Sequence, residues 1–566
     1  MYSEKRNVLQ LIALLKAHGV THVVLSPGNR SVPLTESFGR DPDFTCYSVV
    51  DERSAAFFAL GVIQKLQKPV AICCTSGTAV MNYGSAVAEA YYQKLPLLLI
   101  TADRSARLLG QYEPQMIPQS GIFEKIVKKH VSLPEVSSDD DEWFCNRLIN
   151  EALLELDHHG KGPVHINIEL YGTLTKFPTP SLPNARKISR IMERDSVDRW
   201  RSCAQKLSEK RRILLVYGQS FLPSDAELRA LELFSQAFGC AVVSDNLSNL
   251  DCINHVPNVS ASLDMASDEE KRALLPELVI TFHGHALPSL QKFIRANSPA
   301  EHWHVTEDGA VVDQFKVLTN VFECSAEAFL KRLSEETNNA TSAKAYFAEW
   351  KALVRGSSDI ELQFSDLYAI KQLFACIPPN AALHLANSSC VRHAQLFELN
   401  RGVRIYCNRG TNGIDGSLST AVGYAAASDG LTYIIIGDLS FFYDMNGIWN
   451  RHVSSKLRIM LTNNGGAGIF QYALGQKGLQ TLNRNIAVAH TTSAKGWIES
   501  LGFKYLSARN EEELNRCLPE LANEEATAPI LLEVFTSMEN DAAVLRKMLG
   551  KDGVKGTWSK IKRRLF

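Results

Sequence analysis

An aspartate and an asparagine stand where two apolar runs of the sequence end, 26 positions apart. Asp438 follows the run in LTYIIIGD, and Asn464 follows the run in LRIMLTNN. Such runs are typical of buried parallel strands, and one helical crossover would bring their carboxyl ends to the same edge of a sheet. A carboxylate, an amide oxygen and a backbone carbonyl of the glycine turn that follows form an all-oxygen set that suits Mg²⁺. The spacing predicts a metal site completed by phosphate oxygens.

Each of these residues also has a simpler explanation. Asp438 could be only a helix N-cap, and the asparagines could only form a turn. Their occurrence together, each after an apolar strand, favours the metal site. A helix beginning after Gly437 would also direct its first amides toward the phosphates.

The surrounding elements predict an α/β fold of three doubly wound parallel-sheet modules, since apolar strands alternate with helical stretches throughout. Proline-rich FPTPSLPN and polar SEETNNATSAK separate the modules, which we place at 1–180, 185–335 and 355–566. Strands are predicted within 22–28, 69–77, 96–104, 163–169, 212–218, 240–246, 278–284, 302–308, 381–389, 431–438, 457–464 and 529–535.

Composition excludes several functional classes. The 566 residues are 45% hydrophobic and carry a net charge of −1, so no global charge favours nucleic acid or an anionic membrane. Twelve scattered cysteines without a C-x-x-C pair argue against a cysteine zinc site or a disulfide framework, and favour a cytoplasmic protein. No apolar run is long enough for membrane insertion, and no P-loop motif occurs.

The Gly-Asp and Asn-Asn pair resembles the diphosphate-binding motif of thiamine-diphosphate-dependent enzymes. The resemblance implies thiamine diphosphate as cofactor, with Mg²⁺ or Mn²⁺ held by Asp438, Asn464 and the carbonyl of Gly466. Leu439 stands where many members of that family have glycine.

The same resemblance implies a catalytic carboxylic acid in the first module. In the family, a glutamate contacts the far nitrogen of the cofactor's pyrimidine ring and favours the tautomer that deprotonates the thiazolium. Glu52 in VVDERSAAFFALG takes this position, although a glutamate in a first helical turn is common for dipole reasons alone. The later stretches CTSGTAVMN and KLPLLLITADR match the same pyrimidine-binding module.

Further stretches narrow the resemblance. LSPGNRSVPLT, NSSCVR, NRGTNGIDGSLSTA and NNGGAGIF are similar to those of the 2-succinyl-5-enolpyruvyl-6-hydroxy-3-cyclohexene-1-carboxylate synthases of menaquinone biosynthesis, with coverage from about residue 10 to about residue 540. This resemblance implies decarboxylation of 2-oxoglutarate and addition of the resulting succinyl-semialdehyde carbanion to isochorismate. It implies substrate contacts from Asn29, Arg30, Arg104, Gln115, Ser388, Arg392 and Arg409, and cofactor contacts from Glu52, Ile414, Gly437, Leu439, Ser440, Asn464, Ile469 and Phe470.

Because the substrates carry several carboxylates and the chain is nearly neutral, arginines are expected at strand ends facing the cofactor. Any one arginine could instead fix a loop through an ion pair, and Arg104 is the clearest such case. Two departures from the family occur: Asn29 replaces the usual serine, and Leu290 stands where relatives have a substrate-contacting lysine. Lys292 lies two positions later.

Two other functions stay open at this point. The chain could be another thiamine-dependent 2-oxoacid decarboxylase or carboligase, or a catalytically silent cofactor-binding scaffold. The presence of Glu52 together with Asp438 and Asn464 argues against a scaffold. The family also implies active sites shared between subunits, and therefore a homodimer or homotetramer.

Overall fold

The computed structural model describes residues 1–220, 223–252, 254–284, 288–297, 301–336, 344–353, 361–400 and 402–549. The predicted start of the third module at 355, its end at 566 and part of the polar SEETNNATSAK stretch lie outside these residues. By packing, the chain divides into two compact units. The first contains Met1–Met192 and Gly309–Glu323, and the second contains Glu193–Asp308 and the chain from Cys324 onward.

Helices and strands alternate along the whole chain. Up to residue 192 the helices are Arg6–Ala17 (α1), Val32–Arg40 (α2), Glu52–Leu66 (α3), Thr78–Asn82 (α4), Gly84–Gln93 (α5) and Asp139–Leu154 (α6). The strands there are His22–Leu25 (β1), Thr45–Ser48 (β2), Val70–Cys74 (β3), Leu97–Asp103 (β4), Lys129–Leu133 (β5), Val164–Glu169 (β6) and Ser189–Met192 (β7).

The middle of the chain continues the alternation. Its helices are Val197–Ser208 (α7), Asp225–Phe238 (α8), Val259–Met265 (α9), Asp268–Ala273 (α10), Pro288–Asn297 (α11), Ala326–Glu335 (α12) and Lys344–Leu353 (α13). Its strands are Ile213–Tyr217 (β8), Ala241–Ser244 (β9), His255–Val256 (β10), Leu278–Phe282 (β11), Glu301–Thr306 (β12) and Leu318–Glu323 (β13).

The last part repeats the pattern of the first. Its helices are Asp366–Cys376 (α14), Ser389–His393 (α15), Ser417–Ala426 (α16), Asp438–Asp444 (α17), Gly468–Leu474 (α18), Lys495–Ser500 (α19), Glu511–Leu521 (α20) and Met538–Met548 (α21). Its strands are Ala382–Leu385 (β14), Arg404–Tyr406 (β15), Thr432–Gly437 (β16), Leu457–Asn463 (β17), Lys504–Ala508 (β18) and Ile530–Phe535 (β19).

The strands form three parallel sheets, which confirms the predicted fold class. The first sheet has the order β2-β1-β3-β4-β6-β5, and the last has the order β15-β14-β16-β17-β19-β18. In the second unit, a further sheet runs β10-β9-β8-β11-β12, while β7 and β13 pair in the first unit. Every predicted strand is present, and the strands β2, β5, β7, β10, β13, β15 and β18 are additional to the prediction.

Continuous apolar strands form because both faces of each sheet are covered by helices. In β16, the side chains from Tyr433 to Ile436 are all buried, so no solvent-facing polar position interrupts the run. The parallel register pairs Gly437 with Thr462, so β16 and β17 end at the same edge. This edge is where ligands bind in open α/β sheets.

The cysteines and the helices bear on two predictions made from composition. All twelve cysteines are unpaired thiols, as expected from their scattered spacing. Among the helices of the described ranges, none is long and apolar enough to cross a membrane.

Candidate functional site

The carboxylate of Asp438 lies at the shared edge of β16 and β17. Its side chain is 2% exposed, and its Oδ2 accepts hydrogen bonds from the amides of Gly465 at 2.8 Å and Gly466 at 2.9 Å. The amide of Leu439 donates to Oδ1 at 2.7 Å. The two strand ends that the spacing predicted to meet are therefore joined through this one carboxylate.

The turn after β17 has room only for glycine at Gly466. Its φ is +152°, and a Cβ there would lie 2.6 Å from the carbonyl oxygen of Ala487 and 2.9 Å from Sδ of Met538. A side chain would displace this backbone, so the close packing holds the Gly466 peptide against Asp438.

Asn464 is oriented by a buried acid that the sequence analysis missed. Its Nδ2 donates to Oδ2 of Asp541 at 3.0 Å, and Thr536 Oγ1 donates to the same oxygen at 2.7 Å. With its amide nitrogen engaged, Asn464 keeps Oδ1 available as a ligand. The signal in the sequence was an aspartate in the first turns of the helix after β19, the strand that pairs with β17.

Asp541 belongs to a small buried cluster of polar side chains that also contains Asp366 and His393. Asp541 Oδ1 accepts from the amide of Asp366 at 3.0 Å, and Asp366 Oδ2 lies 3.1 Å from His393 Nδ1. Burial, and then the neighbouring Asp366, raise the pKa of Asp541 to about 7. Burial lowers the pKa of His393, but the charge and hydrogen bond of Asp366 outweigh it and the net shift is upward.

His490 is a second residue that the sequence analysis missed. Its Nε2 lies 3.3 Å from Asp438 Oδ2, and its backbone amide donates to Gly465 O at 2.9 Å. Burial raises the pKa of Asp438, while the Leu439 amide, His490 and the two glycine amides oppose that rise. A cation beside Asp438 would favour the charged carboxylate further.

The donor set fits a hard divalent cation. Asp438, the Oδ1 of Asn464 and the carbonyl of Gly466 offer oxygen ligands of the kind that Mg²⁺ and Mn²⁺ prefer. These groups come from one strand end and one tight turn, so the backbone holds them before any ligand binds.

Two arginines lie after β14 and β15. Arg409 is buried and its Nη1 donates to Oδ1 of Asn387 at 2.9 Å. Arg392 Nη1 donates to the carbonyl of Ser388 at 2.6 Å. Burial, and then the charge of Arg409, lower the pKa of Arg392. Two guanidinium groups that repel each other favour an anion between them.

Asn387 organises this group and was not singled out from the sequence. Its Nδ2 donates to the carbonyls of Asn408 and Gly413, each at 2.7 Å. It therefore ties the end of β14 to the loop that carries Arg409 and Ile414. Ser388 beside it has φ +73°, an uncommon conformation for a residue other than glycine.

The remaining predicted cofactor contacts lie on neighbouring segments of the same unit. Ser440 in α17 is buried, and its hydroxyl donates to the carbonyl of Ile414. Ile469 and Phe470 lie in α18, and Phe470 is 40% exposed. An exposed phenylalanine next to the glycine turn can serve as an apolar wall.

Glu52 is the first residue of α3 in the first unit. Asp51 caps the helix by accepting from the Ser54 amide at 2.7 Å, so Glu52 itself is free of that task. Asn82 Nδ2 lies 3.5 Å from Glu52 Oε2. The half-buried carboxylate is thus placed at a helix start beside a polar side chain.

The loop after β1, which carries Asn29 and Arg30, packs closely against the end of β3 at Gly28. A Cβ on Gly28 would fall 2.2 Å from Cβ of Thr75, at the end of β3. Thr75 Oγ1 accepts from the Arg30 amide at 3.2 Å. Asn29 is exposed, whereas Arg30 is buried and its Nη1 donates to the Leu170 carbonyl at 2.8 Å.

Arg104 and Gln115 complete the predicted set of the first unit. Arg104 forms an ion pair with Glu113, which is the loop-fixing role considered from the sequence. Gln115 is exposed with φ +55°, and its backbone packs against Gly77. In the second unit, Leu290 is buried in α11 and Lys292 on the same helix is exposed.

Comparison with known proteins identifies the family. Residues 8–122 match the family described as "Thiamine pyrophosphate enzyme, N-terminal TPP binding domain". The chain is 45% identical over 552 residues to the 2-succinyl-5-enolpyruvyl-6-hydroxy-3-cyclohexene-1-carboxylate synthase of Bacteroides fragilis, covering 96% of this chain and 99% of that protein. The chain belongs to the 2-succinyl-5-enolpyruvyl-6-hydroxy-3-cyclohexene-1-carboxylate synthase family.

Other relatives carry the same name. The synthase of Bacteroides thetaiotaomicron is 44% identical over 551 residues, covering 96% of this chain and 98% of that protein. The synthase of Flavobacterium johnsoniae is 34% identical over 548 residues, covering 94% and 96%. Among solved structures, benzoylformate decarboxylase from Polynucleobacter necessarius is 17% identical with a TM-score of 0.45, covering 95% of this chain and 99% of that chain.

The family match and the named relatives confirm the predicted family and the dependence on thiamine diphosphate. The chain is a thiamine-diphosphate-dependent enzyme of the carboligase kind. The module boundaries and the roles of individual residues stay predictions.

Proposed function

We propose that this chain decarboxylates 2-oxoglutarate and adds the resulting four-carbon acyl unit to isochorismate, giving 2-succinyl-5-enolpyruvyl-6-hydroxy-3-cyclohexene-1-carboxylate and CO₂. The single observation that carries the proposal is the junction of Asp438, Asn464 and Gly466 at one sheet edge, in a chain of this family. Bound thiamine diphosphate would supply the stabilised carbanion that both decarboxylation and carbon–carbon bond formation need.

The diphosphate end of the cofactor is assigned to the second unit. Asp438, Asn464 and the Gly466 carbonyl would hold Mg²⁺ or Mn²⁺ against the diphosphate oxygens. Gly437, Leu439 and Ser440 would line the same turn, and Ile414 with Ile469 and Phe470 would supply apolar contact. The support is the preformed turn, in which three backbone amides fix Asp438.

The pyrimidine end is assigned to Glu52 of the first unit. Its carboxyl group would form a hydrogen bond with the ring nitrogen. Proton transfer along that bond would set the tautomer of the ring. Support comes from its place in the first turn of α3, half-buried and not used as the helix cap.

The substrate carboxylates are assigned to the arginines. Arg392 and Arg409, with Ser388, would bind anionic groups after β14 and β15, and Asn29, Arg30, Arg104 and Gln115 would do so in the first unit. Burial, and then the charge of a neighbouring arginine, lower the pKa of Arg392 and of Arg30. Each of these two arginines therefore lies near another positive charge, and a bound carboxylate would offset that repulsion.

The two assigned ends would meet between two copies of the chain, in a homodimer or homotetramer. The support is a set of exposed aromatic side chains on and near the two helices that begin at Glu52 and Asp438. α3 begins at Glu52 and exposes Phe57 and Phe58, while Tyr443 in α17 and Trp449 beyond it are 72% and 62% exposed. Exposed aromatic groups of this kind mark association surfaces. We place the reaction in the cytoplasm, where unpaired thiols persist.

The test is a product analysis with purified protein, thiamine diphosphate and Mg²⁺. With 2-oxoglutarate and isochorismate together, we expect CO₂ release and one new adduct, whose mass equals both substrates minus CO₂. Consumption of pyruvate without any adduct from 2-oxoglutarate would replace this proposal with another 2-oxoacid decarboxylase or carboligase.

A further inference from the structure

Two adjacent histidines and a glutamate form a compact cluster in the first unit. His158 and His159 lie in the loop after α6, and Glu323 is the last residue of β13. His158 Nε2 is 2.8 Å from Glu323 Oε2, and His159 Nε2 is 3.0 Å from Glu323 Oε1. One ligand atom from each of the three residues lies within 4.8 Å of the others.

His158 is held between two carboxylates. Its Nδ1 is 3.0 Å from Glu155 Oε1, on the side opposite to Glu323. A carboxylate on one ring nitrogen is the usual outer partner of a metal-binding histidine. Glu155 takes that place at Nδ1, so Nε2 is the ring nitrogen that faces Glu323 as a ligand atom.

The backbone turns His159 to the same side as His158. Its φ is +50°, and the two imidazole centroids are 3.9 Å apart with an interplanar angle of 37°. The Lys128 ammonium donates to the carbonyls of His158 and Gly160, which fixes the loop. An uncommon backbone conformation thus brings two consecutive side chains, which usually diverge, onto one carboxylate.

We propose that His158, His159 and Glu323 bind Zn²⁺, with Glu155 as the outer carboxylate on His158. Two imidazoles and a carboxylate form a common zinc ligand set that leaves one position for water. The two imidazole nitrogens contact different oxygens of the Glu323 carboxylate, and the three ligand atoms lie within 4.8 Å of one another. Small side-chain rotations would bring them to about 3.3 Å, the ligand spacing in a zinc tetrahedron. His159 is 64% exposed in its side chain, so the fourth position faces solvent.

The charges around the cluster allow a dication. Arg190 Nη2 lies 3.0 Å from Glu155 Oε1, and its Nε lies 4.0 Å from Glu323 Oε2. This guanidinium offsets one of the two carboxylates and leaves the other for the metal. The ion would join the loop after α6 to the segment Gly309–Glu323, which returns to the first unit from later in the chain. We therefore expect the metal to stabilise this unit.

The test uses full-length protein freed of metal by a chelator and then saturated with thiamine diphosphate and Mg²⁺, so that the diphosphate site is filled. Titration with Zn²⁺ in a calorimeter is expected to show one equivalent per chain at micromolar or tighter Kd. Titration with Co²⁺ should give the visible absorption of a tetrahedral site.

Three variants decide the outcome. His159→Asn tolerates the left-handed backbone yet removes the imidazole, and Glu323→Gln keeps the side-chain shape; each should weaken Zn²⁺ binding at least about tenfold. His452→Ala removes an exposed histidine elsewhere and should bind as the wild type does. The proposal is overturned if the wild type takes up no stoichiometric Zn²⁺, or if both cluster variants bind it as tightly as His452→Ala.

Discussion

The six-stranded sheet of the first unit and the six-stranded sheet near the end of the chain place their strands in the same order. Strand for strand, β1 corresponds to β14, β2 to β15, β3 to β16 and β4 to β17. Asn29 and Arg30 follow β1, and the similar pair Ser388 and Arg392 follows β14. The next pair of strands differs, because the acid Glu52 follows β2 and the base Arg409 follows β15.

The two key carboxylates also differ in their surroundings. Asp438 is almost fully buried and accepts three backbone amides, whereas Glu52 is half-buried and has one weak contact with Asn82. A metal ligand gains from fixed geometry, while an acid that exchanges a proton with a bound ring needs open access. With the roles proposed for Glu52 and Asp438, one strand order would therefore support two kinds of chemistry, and the residues after the strands would decide which.

Replacement of Glu52 should have the largest effect on turnover. Glu52→Gln keeps the shape of the side chain but removes the acid, so kcat should fall by about 10²- to 10⁴-fold. Cofactor affinity should change little, since the diphosphate is assigned to the other sheet. Steady-state rates and calorimetric cofactor binding measure both, with exposed Glu36→Gln as the matched control. Wild-type turnover in Glu52→Gln would remove this residue from the mechanism.

Replacement of Asp438 should lower cofactor affinity, in contrast to replacement of Glu52. Asp438→Ala removes the residue that joins β16 to the glycine turn, so metal-dependent cofactor affinity should fall by about 100-fold or more. The measurement is cofactor titration at fixed Mg²⁺, with exposed Asp429→Ala as the control. Undiminished affinity in Asp438→Ala would contradict the assignment of the metal to this edge.

Arg409 follows β15, which corresponds to the strand before Glu52, so its replacement tests the equivalent position of the second sheet. Arg409→Lys keeps the positive charge but loses the planar group that donates to Asn387, so KM for an anionic substrate should rise about tenfold. Substrate saturation curves for 2-oxoglutarate and isochorismate would show which one is affected. Exposed Arg451→Lys serves as the control, and an unchanged KM for both substrates would make Arg409 structural.

Replacement of Asp541 should have an effect no larger than that of Arg409, because Asp541 acts through Asn464. Asp541→Ala leaves the Asn464 amide without its acceptor, and Mg²⁺ affinity should fall about tenfold. Asp541→Asn keeps a carbonyl oxygen in place and should recover part of that loss. If alanine and asparagine variants bind Mg²⁺ like the wild type, then Asp541 does not orient Asn464.

Much of this organisation follows from local patterns in the sequence. Apolar runs predicted the central strands, because strands covered on both faces carry no polar alternation. Asp438 and Asn464 were predicted together, because parallel strands joined by one crossover end at one edge. Asp438 accepts hydrogen bonds from the amides of Gly465 and Gly466, directly after Asn464 in the chain, which agrees with that expectation.

Residues that act across long separations were not predictable in this way. Asp541 contacts Asn464 from 77 positions away in the sequence. His490 contacts Asp438 from a loop that contains no recognisable motif. Asn387 was read as part of a motif, but its bonds to Asn408 and Gly413 depend on how two loops pack. The His158, His159 and Glu323 cluster likewise needs a segment that returns from 164 positions later. Pairings of this kind are set by tertiary packing.

The central claim is that the two sheets bind opposite ends of one cofactor. Its most direct test is a mixed dimer of Glu52→Gln and Asp438→Ala chains. At a cofactor concentration that just saturates the wild type, each variant alone should have little activity. If one site uses Glu52 of one chain and Asp438 of its partner, the mixed dimer contains one intact site. Dimers purified through two different tags should then show about half of the wild-type activity. No activity in such dimers, or no species carrying both tags, would contradict the account.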